Sequence, residues 1–179
     1  MNAIDQFGMD TVDAVSSLVA ANHYLQALVV LYSAVDTLAW VSVSTGDVTG
    51  ADFCRWVDVY LKPQAQLACS AEVLYGARCA LLHSGAAESK MSREGRANEL
   101  WYVTSPHSVA RLQAYAQNAG NRAKIVYFTS LVEAFANGVM QFSDDLASNP
   151  NRHAQCSDRI KRWVRFLPTR SLEAGGGGQ

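Results

Sequence analysis

One arginine and one histidine in this chain of 179 residues occupy positions that packing alone explains poorly. Arg78 lies in the stretch Leu74-Tyr75-Gly76-Ala77-Arg78-Cys79-Ala80-Leu81-Leu82-His83-Ser84-Gly85. On a helix its neighbours three and four residues away are Tyr75, Leu81, Leu74 and Leu82. A permanently charged guanidinium in such company needs a carboxylate or phosphate, because burying it unpaired is costly. His83 falls in the last turn before Gly85, at the negative end of the helix dipole. An arginine beside a titratable imidazole can bind and cleave a phosphodiester. Five residues turn through about 500°, so the two side chains leave the helix about 140° apart with about 7.5 Å of rise between them. The spacing therefore predicts that they do not share one face of an intact helix. Joint action requires the helix to loosen at His83, or a second copy to bring its own helix alongside about a two-fold axis. The residue types leave a structural alternative open, in which Arg78 pairs with Asp36 while His83 closes the helix end.

These residues need a scaffold, and the bulk composition describes one. Nearly half the residues are hydrophobic, and glycine and proline are sparse before the C-terminus, as expected of one largely helical domain with a substantial core. Charge is unevenly spread. Residues 1–75 hold 8 acidic and 2 basic side chains, a balance of −6, whereas residues 76–179 hold 8 acidic and 13 basic, a balance of +5. A basic second half attracts anionic partners, although solvated helix faces give the same asymmetry. Cys54, Cys69, Cys79 and Cys156 have no paired spacing, and His23, His83, His107 and His153 are equally scattered. No metal site or cofactor is expected, and isolated core cysteines suit a reducing cytoplasm. Leu25 to Val43 is apolar enough to raise the question of a membrane span. Asp36 would cost about 2.5–3.5 kcal/mol at a bilayer centre and no Lys or Arg flanks the segment, so a buried helix and no membrane contact are expected.

Periodicity predicts a long first helix from Asp10 or Thr11 to about Ser42, with Leu18, Ala21, Leu25, Leu28, Tyr32, Val35 and Ala39 forming a helix–helix seam that Asp36 borders. Thr49 and Asp52 open a second helix in a capping arrangement, its apolar face formed by Phe53, Trp56, Val57 and Tyr60, and Pro63 ends it. A third runs from about Ala68 to His83, buries Val73, Leu74, Ala77, Ala80 and Leu81, and stops at Ser84-Gly85. Residues 86–98 form a polar, basic loop. Leu100–Val103 and Ile125–Phe128 have strand composition, and between them Pro106 to Asn118 forms a helix with Val109, Leu112 and Tyr115 on one side. Ser130 with Glu133 signals the start of a helix through Val132, Phe135, Val139, Phe142 and Leu146. Asn149-Pro150 then opens a last one that includes Ile160, Trp163 and Val164. The expected fold is mainly α: an antiparallel helical bundle with a small two-stranded β accessory, a single domain over residues 1–170 and a flexible glycine-rich tail over 171–179.

Set in that bundle, Tyr75-x-x-Arg78-x-x-x-x-His83-Ser84-Gly85 resembles the R-x(4–6)-H motif of the HEPN superfamily. The segment Tyr32-Ser33-Ala34-Val35-Asp36-Thr37-Leu38-Ala39 resembles the acidic-residue helix that often packs beside that motif. The likeness covers roughly residues 10–148, its specific part being Arg78 to His83. It implies a HEPN-like helical domain that dimerises and, in many members, a metal-independent RNA endonuclease of toxin–antitoxin, antiviral or RNA-processing systems. His83 would then act as general base on the 2′-hydroxyl or general acid to the leaving oxygen, Arg78 would brace the phosphate, and Asp36 would position either one. The strand cut 3′ of a ribose would carry a 2′,3′-cyclic phosphate, and DNA would resist. Lys90, Arg93 and Arg96 in the basic loop are candidates to grip RNA phosphates or are simply solvated. Ser84 donates to a phosphate or satisfies a helix-end carbonyl, and Tyr75 is the aromatic nearest the motif. Active members often carry Asn, Asp or His after the arginine, where this chain has Cys79. That thiol favours the other reading the resemblance allows, a non-catalytic helical module binding a protein partner or nucleotide. A regulatory partner of a nucleotidyltransferase is a third.

Overall fold

The computed structural model describes residues 3–44, 46–65, 67, 69–85, 93–95 and 98–162. It is mainly helical with a small two-stranded parallel sheet. Helix α1 spans Ala3–Ala20 and α2 spans Tyr24–Ser42, where periodicity alone predicted one continuous helix. The break is a local capping event. Asn22 adopts a left-handed φ of 61°, its N–H bonds the Val19 carbonyl, and the His23 N–H reaches back to Leu18. This double bond over a left-handed residue terminates a helix, and asparagine tolerates it better than most residues without glycine's freedom. The apolar residues repeat across the break, which is why the seam reads as continuous, but Ala21 and Leu25 beside it are exposed and the buried seam begins only at Leu28.

Helix α2 is the hub of the molecule. Nine of its residues are buried, among them Leu28, Leu31, Val35, Leu38 and Ala39, and it touches α1 and, through its other faces, most of the remaining helices. By length and composition it could cross a bilayer, but half of that stretch is buried inside the fold, as in a core helix. Helix α3, Gly50–Trp56, opens with the expected capping box. The Thr49 hydroxyl accepts from the Asp52 N–H, and the Asp52 carboxylate accepts from the Thr49 N–H at 3.0 Å. It then widens into a π-helical turn over Val57–Leu61 and tightens into a 3₁₀ turn, Lys62–Gln64, at Pro63. Trp56 and Tyr60 each meet Phe142 edge to face in the core there, their own two rings tilted 42° to one another.

Helix α4 covers Ala71–Ser84, capped by the Ser70 hydroxyl on the Val73 N–H and closed by Gly85 at φ 62°. Val73, Leu74 and Ala80 are buried, while Ala77 and Leu81 are half-buried. Strands β1, Leu100–Val103, and β2, Lys124–Tyr127, pair in parallel, Leu100 opposite Lys124. Helix α5, His107–Asn118, makes the connection between them, and a crossover of that kind is what parallel pairing requires. Tyr115 does not join an apolar side as predicted. It is 62% exposed, and Ala116 is the residue that turns inward. Helix α6, Phe128–Ser148, follows β2 without a break, so Ser130 lies inside the helix and caps nothing. Asn149 caps α7, Pro150–Ile160, by accepting from the Arg152 N–H at 3.1 Å. Trp163, Val164, the tail over 171–179, and most of the predicted loop over 86–98 lie outside the described residues.

Candidate functional site

The local sequence places Arg78 on the strip of α4 that faces α2. Leu74 on the same side is fully buried and anchors the helix, so the next turn carries Arg78 to the edge of that interface. Asp36 of α2 meets it there. The Nε of Arg78 donates to Asp36 Oδ2 at 2.7 Å, and Nη2 makes a close ion pair with the same oxygen. Both side chains are largely shielded, 20% and 24% exposed. Burial by itself works against the guanidinium's charge, but the Asp36 carboxylate and the Cys79 thiol outweigh it, and the arginine is held above its ordinary value.

The remaining nitrogen, Nη1, turns the other way. It lies 3.3 Å from His83 Nε2 and 3.8 Å from Cys79 Sγ. Arg78 and His83 therefore meet within a single chain on a helix that stays intact through Ser84. This corrects the expectation that they need a loosened helix or a second copy to approach. Azimuth and rise describe where side chains leave the backbone. A long arginine laid back over Cys79 and an imidazole leaning toward the helix N-terminus close the remaining gap. A guanidinium has no lone pair to offer, so as a hydrogen bond this contact needs His83 to present Nε2 unprotonated.

Tyr75 adjoins the cluster through Cys79. Burial, then its hydrogen bond with that thiol, raises its phenol above the ordinary value. Its ring lies 5.5 Å from that of Phe53, and it fits against α3 only because residue 50 is glycine, where a Cβ would come within 2.6 Å of Tyr75 Cζ. The cap that starts α3 at Gly50 thus sets the position of an aromatic ring beside the arginine. An open hollow of about 630 Å³ between α3 and α4 extends from Tyr75 to Arg55, Asp58 and Glu72. A smaller one, about 340 Å³, lies on the opposite flank of α4 between Ala77, Leu81 and Trp101.

The structure brings together Arg78, Asp36 and His83, with Cys79 as a further partner that residue types did not identify; its position next to Arg78 was the available signal. Ser84 forms the last turn of α4. Arg93 is exposed. Lys90 and Arg96 fall outside the described residues. Cys54, half-buried on the α3 side of the hollow, has its thiol pushed up to about 11, chiefly by burial and then by Glu72 and Asp58. Among the described residues no three His, Cys, Asp or Glu side chains gather closely enough to hold a metal ion. Compared with family models, curated proteins and solved structures, the chain matches none.

Proposed function

We propose that this chain is a HEPN-like endoribonuclease, an antiparallel helical bundle acting as a homodimer in the cytoplasm, with a role as a toxin or defence component. One observation carries the reading: a single guanidinium is fixed on two nitrogens by Asp36 and offers its third, Nη1, to a helix-terminal imidazole at 3.3 Å. The contacts of Nη1 are the longest the arginine makes, so it is the prong an incoming phosphate oxygen would take over. Releasing Nε2 frees its lone pair at the moment a phosphate arrives. His83 then accepts the proton of the ribose 2′-hydroxyl, the 2′-oxygen attacks phosphorus, and the bond to the 5′-oxygen breaks. The charge that builds on the phosphate faces Arg78. The leaving 5′-oxygen takes a proton from the same histidine of a second copy, which is the role a composite two-fold site gives the dimer. The chemistry uses no cofactor.

A second reading rests on a specific contact. Asp36 satisfies two of the guanidinium nitrogens and Cys79 stands against the third, an arrangement equally suited to a non-catalytic HEPN-like module that binds a protein partner or nucleotide. The test is incubation of the purified protein with single-stranded and structured RNA in EDTA, beside Arg78→Ala and His83→Ala. The parent should cut and leave 2′,3′-cyclic phosphate ends, a 2′-deoxy substrate should resist, and each variant should lose about 100-fold or more. Equal cleavage by all three would assign the activity to a contaminant and leave the binding module.

A further inference from the structure

Helices α1 and α6 contain six carboxylates, Asp5, Asp10, Asp13, Glu133, Asp144 and Asp145, and no lysine or arginine; Asp145 lies off the groove, accepting from the Tyr60 hydroxyl and pairing with Arg152 of α7 at 3.5 Å. They pack unusually close, because Gly8 on α1 faces Val139 on α6, and a Cβ at Gly8 would lie 2.5 Å from the valine Cγ1. Along this line of contact runs an apolar groove of about 600 Å³, floored by Val12, walled by Met9 and Met140, with Asp5, Asp13 and Asp144 on its margins. Met9 is 52% exposed and Met140 64%. Unbranched thioether side chains left in solvent on both walls of a groove adapt readily to an apolar partner.

The charge selects the occupant. A nucleic acid or an anionic membrane surface would be repelled by this margin. A second copy docking face to face would bring the same carboxylates against themselves. A polypeptide helix with an apolar stripe flanked by lysine or arginine meets both requirements, and helix-in-groove recognition has that form. From Asp5 to Asp13 the groove runs about 12 Å along α1, enough for anchors at i, i+3 or i+4, and i+7 of a partner helix. We infer that the α1–α6 groove is a docking site for a basic amphipathic helix of a partner protein. It is independent of the Arg78 cluster and stands whether or not that cluster cuts RNA.

The probes are two designed peptides with the same leucine stripe, one flanked by lysine and the other by glutamate, followed by fluorescence anisotropy and by NMR of ¹³C-methyl-methionine-labelled protein. The lysine peptide should bind with a Kd of order 10 μM, weaken with added salt and shift the Met9 and Met140 methyl signals. The glutamate peptide should bind at least about tenfold more weakly. Met140→Lys should weaken the lysine peptide about tenfold, the double variant Asp13→Lys with Asp144→Lys should reverse the preference, and Arg78→Ala should bind as the parent does. The inference is overturned if the two peptides bind alike, if the lysine peptide fails to bind at all, if folded Met140→Lys binds as tightly as the parent, or if sedimentation shows a dimer that Met140→Lys dissolves.

Discussion

Removing the Asp36 carboxylate tests the central pair most directly. In Asp36→Ala, Arg78 keeps its charge and loses the acceptor for both Nε and Nη2. Breaking a fully buried pair costs about 3–5 kcal/mol, because a charge is left uncompensated. An exposed pair contributes about 0–1 kcal/mol. With the side chains 20% and 24% exposed, the loss should fall between these limits, at about 2 kcal/mol. For a chain of this size that corresponds to a fall in Tm of roughly 4–8 °C. Arg78→Ala should cost less, since the carboxylate it leaves can draw in water. The double variant should be about as stable as Asp36→Ala alone or better, giving a coupling energy of about 1–2 kcal/mol. Asp36→Asn, which keeps one acceptor oxygen and loses the charge, should fall between parent and alanine. Urea unfolding followed by circular dichroism on the four proteins supplies the cycle. If Asp36→Ala lies within about 0.5 kcal/mol of the parent, or the effects of the two single variants simply add, the pair is behaving as a solvated surface contact. Burial would then not oblige Arg78 to find an anion.

Two further outcomes follow from packing and burial. Gly50→Ala improves helix propensity at the first position of α3, yet its Cβ would lie 2.6 Å from Tyr75 Cζ and 2.8 Å from the hydroxyl oxygen. A net loss of about 1–2 kcal/mol in thermal unfolding is expected, with Tyr75→Ala in the same chain removing the collision; a gain in stability would show that the ring moves freely. Burial raises the phenols of Tyr32, Tyr60 and Tyr102 above their ordinary value, so the unfolded chain gives up those protons first. Their contribution is complete below about pH 10 and is lost as pH rises beyond it. Tyrosinate absorbance and loss of helical signal should therefore rise together in alkali, and ionisation of these phenols with the helices intact would contradict their burial.

How much of this was legible depended on whether the signal was local. The Thr49–Asp52 box, the Gly85 stop and the Asn149-Pro150 start all act within one turn, and each sits where the residues placed it. The first strand reads correctly and the second lies one residue early, at Lys124–Tyr127 with Phe128 opening α6, and their parallel direction comes from the intervening helix packing back across them. The break at Asn22 was hidden because the apolar period passes through it unchanged. Ser130 and Glu133 match a cap motif that β2 overrides by running straight into α6. At the site, an anion for Arg78 was predictable from its apolar neighbours, and Asp36 is that anion. The contact with His83 was not, since helical geometry locates Cβ atoms and says nothing of where a long side chain folds back. The π turn over Val57–Leu61 left no mark in residue types; α6 comes close against it, and a Cβ at Gly138 would lie 2.7 Å from the Tyr60 carbonyl oxygen.

The absence of cationic side chains from α1 and α2 has a consequence beyond binding. No lysine or arginine precedes Arg55, so trypsin has no bond to cut in the first two helices or in the left-handed turn that joins them at Asn22. Digestion of the native protein therefore reports only on what begins at α3, and the hub helix with its Asp36 comes away in one long fragment. Mapping of local opening around the Arg78 cluster from the α2 side needs an enzyme that recognises aromatic or acidic residues instead.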